Sequence, residues 1–187
     1  MLAADLKGRQ VDADLRAIAE QALSWGVLEV RPVPTTAIAV AEWVRLKCHY
    51  GCSGYGTRLD CPPNEFTLDL TRRLLAEYRR ALILKLRRLP RYQPEGSGLV
   101  HRLERELFLA QFYRAFAIGA GSCGLCPDEC VRQPGRCPRP EQIRPSGESL
   151  GIDWFATLRN AGLDLRVLAN RQASDGLPPS YSLILVD

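Results

Sequence analysis

Two short runs of cysteine carry the clearest chemistry in this chain. Cys48, Cys52 and Cys61 lie in CHYGCSGYGTRLDCPP, and Cys123, Cys126, Cys130 and Cys137 lie in CGLCPDECVRQPGRCP. Thiolates are the softest ligands a protein offers, and clustered thiolates select Zn²⁺ or iron–sulfur centres. The second run is the stronger signal. Two residues between Cys123 and Cys126 let both sulfurs face one point, and the N–H groups of Gly124 and Leu125 can turn toward that negative charge. Its C-x2-C-x3-C-x6-C-P spacing is of the same kind as the bacterial ferredoxin run, though looser at the third and fourth positions. These four cysteines are read as ligands of a 4Fe–4S cluster. Zinc is the alternative, but zinc sites favour two halves about a dozen or more residues apart. Here all four ligands fall within fifteen positions.

The first run supplies three thiolates, an incomplete tetrahedron. It leaves an open metal position or takes a fourth ligand from His49, Asp60 or His101. Its spacing is not the C-x3-C-x2-C of the radical enzymes that cleave S-adenosylmethionine. Two arrangements stay open: one cluster on each run, or one cluster shared by both. Arg132, Arg136, Arg139 and Arg144 follow the second run and can offset a cluster's negative charge. Tyr50 and Tyr55 are candidates to shield a metal from water.

The elements that must hold these residues read as follows. Residues 12–26 form an amphipathic helix with Leu15, Ile18, Ala19 and Leu23 on one stripe, stopped by Gly26. Residues 27–33 are extended. Residues 37–48 read as a strand delivering Cys48, from the alternation Trp43, Val44, Arg45, Leu46, Lys47. Residues 50–64 are loop. A helix over 66–80 leads into a strand over 81–89, and a long helix runs from Leu99 to about Gly119. Residues 147–162 are read as a helix, and residues 163–169 and 181–187 as closing strands separated by a turn. The order β-α-β-α-α-β-β predicts one α+β domain over residues 1–187, with a mostly antiparallel sheet flanked by helices. Two cysteine-rich, metal-binding loops interrupt it, at 48–63 and 123–140.

The totals fit that reading. A chain of 187 residues is long enough for one sizeable core, and a net charge of +4 does not announce nucleic acid. No run approaches the ~18 apolar residues of a membrane helix. The N-terminus has no apolar signal core, so the expectation is a cytoplasmic protein. An odd number of cysteines and a reducing compartment both argue against a disulfide framework. Arg72, Arg73, Arg79, Arg80, Lys85, Arg87, Arg88 and Arg91 make a basic stretch opposed in sequence only by Glu77. Such a stretch is a solvated face or a docking surface for an acidic partner. No nucleotide-binding glycine motif, nucleophile elbow or H-E-x-x-H is present.

The two runs, read together, resemble the signatures of an uncharacterised prokaryotic family of predicted metal-binding proteins. In that family C-x3-C-x2-Y-G…C-P-P precedes C-x2-C…C…C-x-x-P…R-P-S-x-E-x-x-G-I-D. Cys48, Cys52, Ser53, Tyr55, Gly56 and Cys61 match the first signature. Arg144, Pro145, Ser146, Glu148, Gly151, Ile152 and Asp153 close the second, and the likeness spans roughly residues 36–160. Gly147 departs from a pattern that usually has methionine there. The resemblance implies metal binding through these cysteines and a cytoplasmic home, but no reaction. Ser146 and Glu148 look like the start of a helix, a cap and a favourable negative charge.

The leading expectation is therefore an iron–sulfur protein that transfers electrons to a partner protein. The seven cysteines hold one or two 4Fe–4S clusters, and no catalytic residue is identified. The alternatives are a zinc-stapled protein-binding module using the basic stretch, and an enzyme with an open iron at Cys48, Cys52 and Cys61.

Overall fold

In the computed structural model, residues 2–62, 67–87, 94–126, 137–165 and 178–187 are described. Their centre is the strand β2 (Arg80–Leu86), whose sequence RALILKL is apolar at almost every position. A strand reads this way when both of its faces are covered. Leu82, Leu84 and Leu86 enter one core, and Ala81 and Ile83 enter the other. β2 pairs with β1 (Glu29–Pro34) and β4 (Ser180–Leu185), and β4 pairs with the short β3 (Phe116–Ile118). All three pairings are antiparallel, and the sheet order is β1-β2-β4-β3. The α+β class with an antiparallel sheet is as expected.

Helix α1 (Leu2–Ser24) and α4 (Pro94–Leu109) cover one face. Leu15, Ile18 and Ala22 of α1 meet Val100, Leu103 and Leu107 of α4 over the even-numbered positions of β2 and β4. Burying each leucine completely contributes roughly 1.5–3 kcal/mol. α3 (Leu68–Ala76) and α5 (Trp154–Asn160) bring Leu75, Trp154 and Leu158 to the other face. There they meet Leu150 and Ile152 from the turn preceding α5. Among the described residues, no helix is long and apolar enough to cross a membrane.

α1 begins at Leu2 rather than near residue 12, and three further elements differ from the sequence reading. The stretch read as a strand over 37–48 is instead the 3-10 turn Thr35–Ala37 and the helix α2 (Glu42–Gly51). Only Val44 of α2 is buried, so neither helical nor strand periodicity was imprinted on it. The long helix does not reach Gly119. It ends at Leu109, Gln111 adopts a left-handed φ of 72°, and the chain re-enters the sheet as β3. α5 starts at Trp154 rather than near 147, because Gly151 turns the chain at φ 74° and Asp153 is the N-cap. The Asp153 carboxylate accepts the Ala156 N–H at 3.0 Å. The strand expected over 163–169 lies largely outside the described residues, and 163–165 are not in a strand.

Part of the basic stretch is engaged within the molecule, while Arg73, Arg79 and Arg87 are exposed. Nε of Arg80 donates to Asp187 Oδ1 at 2.8 Å, Nη2 contacts Oδ2, and Nη1 donates to Asp12 Oδ1 at 3.0 Å. This fork pulls the Asp187 carboxyl below the usual carboxylate range. Arg72 bonds Asp69 at 2.9 Å. Arg80 therefore ties Asp187 to Asp12 of α1. Arg88 and Arg91 lie outside the described residues.

Candidate functional site

α2 buries little, so other segments must hold it. The Ala41 N–H donates to Gly151 O at 2.9 Å, and the Asp153 N–H donates to Ala39 O at 2.9 Å. The Ala39 N–H donates to the Thr157 hydroxyl at 3.0 Å. Val40 and Ile152 form an antiparallel bridge, and the Arg45 guanidinium donates to Ser149 O. The G-I-D end of the second signature thus docks the helix of the first. Cys48 sits in the last turn of α2 and Cys52 is its C-cap, so the expected loop at 48–63 begins as helix. Tight turns follow: the Tyr55 N–H donates to Cys52 O at 3.1 Å, and the Cys61 N–H to Arg58 O at 3.2 Å. Cys61 ends this path buried.

The second run leaves β3. Gly119 is bridged in parallel to Ser146, with its N–H on Pro145 O at 2.8 Å and its carbonyl accepting from the Gly147 N–H at 3.1 Å. The chain then reaches Cys123, whose backbone N–H donates to Asp60 Oδ2 at 2.6 Å. This contact joins the two cysteine runs. Asp60 is only 3% exposed. Burial pushes its carboxyl up from 3.8 to about 6, against the Cys123 N–H and the Arg58 charge, while Glu148 pushes it the same way as burial. Its second oxygen, Oδ1, is buried with no hydrogen-bond partner among the described residues.

Cys48, Cys52 and Cys61 all line one cavity of about 600 Å³, together with Ser122, Ser146 and Glu148. Three thiols on one cavity wall, beside a second cysteine run, are a donor set of the kind soft metals take. Among the described residues, no three His, Cys, Asp or Glu side chains are grouped closely enough to hold an ion. The thiols share a cavity but do not close on one point. Cys126 and Cys137 are partly buried, and neither lines this cavity. Cys130 lies outside the described residues, as do Arg132 and Arg136.

Of the three proposed completions, Asp60 alone is built into the junction. The exposed His49 packs edge-on against Tyr50 at 4.5 Å and Tyr55 at 4.8 Å. Its ring does not line the cavity. His101 rides on α4, over the opposite face of the sheet. Tyr55 lines the cavity, whereas Tyr50 is 82% exposed. Arg144 is committed elsewhere: Nε donates to Glu104 Oε2 at 2.7 Å and Nη2 to Oε1 at 2.5 Å. Glu104 also accepts the Ala117 N–H at 2.6 Å, so the pair fixes β3 against α4. Arg139 is exposed.

The roles expected of Ser146 and Glu148 are divided. The Ser146 hydroxyl does accept an N–H three residues on, from Ser149 at 3.0 Å, but it caps a turn and not a helix. Glu148 faces the cavity with the thiols. Only the assembly of residues far apart in sequence puts it there; its spacing after Pro145-Ser146 resembled a helix start.

A family model described as "Predicted metal-binding protein (DUF2284)" matches residues 31–186. No curated protein and no solved structure matches the chain.

Proposed function

The chain belongs to this family of predicted metal-binding proteins, and from that premise we propose that it is an iron–sulfur protein that passes electrons to a partner protein. Cys123, Cys126, Cys130 and Cys137 hold a 4Fe–4S cluster. Cys48, Cys52 and Cys61 hold a second centre or complete the first. The observation that carries this reading is that three thiols line one cavity, with the second cysteine run held beside it by the Cys123 N–H on Asp60. When bound, such a cluster supplies a one-electron couple.

The chain's own residues support that role in specific ways. Asp60 keeps the two runs in register by holding the Cys123 N–H. Residues 149–157 hold α2, and through it Cys48 and Cys52, so the donors are presented on an anchored element. Arg58, 6% exposed, places positive charge next to Asp60 where thiolates gather negative charge. The cytoplasm is the compartment this reading requires, because thiols persist there as metal ligands.

Purification without oxygen tests the assignment. The expected product is brown, with broad visible absorbance that bleaches on reduction. A colourless protein carrying stoichiometric zinc would falsify it and favour the zinc-stapled module. Capture of an acidic partner by that module would be tested at Arg73, Arg79 and Arg87, since changing Arg80 would break its fork with Asp187.

A further inference from the structure

The cavity that receives the three thiols is larger and chemically more varied than a metal centre needs. At about 600 Å³ it falls among pockets that enclose small organic molecules, about 300–1,000 Å³. Its wall has two kinds of surface. The thiols come from the C-terminal end of α2 and the turns after it. Trp43, from the first turn of the same helix, lies about 7–8 Å along the axis from Cys48. Trp154 and Phe155, which open α5, join Trp43 on the lining, and Tyr55 adds a fourth ring.

Trp154 belongs to the packed core, but the other rings are not explained by it. Trp43 is 43% exposed and Phe155 37% exposed, and neither belongs to the packed cluster on its side of the sheet. Trp154 is buried, and its indole lies so close over Gly147 that an added Cβ would stand 2.5 Å from Cζ2. Only a residue without a side chain leaves room for the ring in this position. The polar groups on the wall are few: Ser53, Ser122 and Ser146 offer hydroxyls, and Lys47 and Glu148 bring one charge of each sign, so the wall carries no excess of either. An apolar cavity with a few convergent polar groups is how a protein recognises a specific small molecule. Aromatic walls favour flat partners that stack or meet them edge to face.

We propose that this cavity binds a planar, uncharged aromatic or heteroaromatic small molecule, gripped by Trp43, Trp154 and Phe155 beside the thiol-held metal. The site builds on the metal reading and goes beyond it, giving the protein a ligand as well as a metal. It makes the first cysteine run a place where an organic molecule and a metal share one chamber.

Titration of the anaerobically purified, metal-loaded protein with the neutral naphthalene dye prodan tests this. Saturable binding of one dye per chain with a blue shift in emission is expected. The double variant Trp43→Ala/Phe155→Ala should weaken binding about tenfold or more while keeping its metal content. Tyr113→Ala removes a ring that is 76% exposed and away from the cavity, and should change nothing. Absence of saturable binding to metal-loaded protein overturns the proposal and leaves the metal reading standing. Equal weakening by the Tyr113 variant, or none by the double variant, also overturns it. Saturable, Trp43-dependent binding to a wild-type protein that takes up no metal supports the cavity and sinks the metal reading alone.

Discussion

On the face of the sheet under α1 and α4, the packed cluster is apolar throughout, from Leu15 and Ile18 to Leu103, Leu107 and Ile184. The alternation of β4 adds a single buried hydroxyl there, Ser182. The opposite side buries Thr35, Thr71, Thr157, Ser146 and Ser149. Each of these has a backbone partner: the Thr35 hydroxyl donates to Tyr78 O at 2.5 Å, Thr157 accepts from Ala39, and Ser149 donates to Ser146 O at 2.8 Å. Apolar packing stabilises without dictating backbone position closely, whereas buried hydrogen bonds are costly unless geometry is kept. One side of the molecule supplies cohesion. The other fixes the positions of α2, the 146–153 turn and the approach to Cys123.

That contrast can be broken by mutation. Leu103→Ala, at a position with no exposure, should cost about 2–5 kcal/mol in urea unfolding. It should leave metal bound per folded chain unchanged, and a loss of metal from folded protein would erase the distinction between the faces. Gly151→Ala works on the other side. Its φ of 74° disfavours a side chain, and the added Cβ would meet Leu68 Cδ2 at 2.2 Å. The expected cost is smaller, roughly 1–3 kcal/mol, yet metal retention should fall because Gly151 O holds the start of α2.

Protonation sharpens the same comparison in metal-free protein. Asp60 has a folded value of about 6 against 3.8, so its ionised form is penalised by folding. Its contribution is destabilising above pH 6 and is relieved as pH falls from about 6 toward 4. Asp60→Asn, which keeps an oxygen for the Cys123 N–H, should raise stability at pH 8 by roughly 1–3 kcal/mol. Asp187 has the opposite sign: Arg80 lowers its folded value, so its contribution is complete above the ordinary carboxylate range and is lost as pH falls through the lowered one. Asp187→Asn should therefore lower stability at pH 8, by roughly 1 kcal/mol. Unfolding curves of both variants at pH 8 and pH 4 read these signs directly.

Periodicity made β1, β2, β4 and the cohesive face legible, but not β3. β2 is apolar along its length because both sides are covered, and α1 and α3 carry ordered apolar stripes. α2 escaped because one buried residue leaves no period to read, and Trp43, Leu46 and Tyr50 stay exposed. Glu42 in its first turn was the available helix signal. The helix expected to run to Gly119 failed at Gln111, a left-handed turn that composition does not announce. At the site, cysteine spacing singled out Cys48, Cys52 and Cys61, which share a cavity wall. Spacing could not show that Asp60 would clasp Cys123, or that Glu148, Trp154 and Phe155 would arrive from elsewhere. Those are long-range contacts, set by how the 146–153 turn crosses the start of α2.

Iron, zinc and acid-labile sulfide counted per chain, in anaerobically prepared wild type and in a Cys48→Ser/Cys52→Ser/Cys61→Ser variant, test the central claim most directly. The account predicts iron and sulfide in equal amounts in the wild type, and less of both in the folded variant. Stoichiometric zinc without sulfide, or no metal at all in the folded wild type, would contradict it.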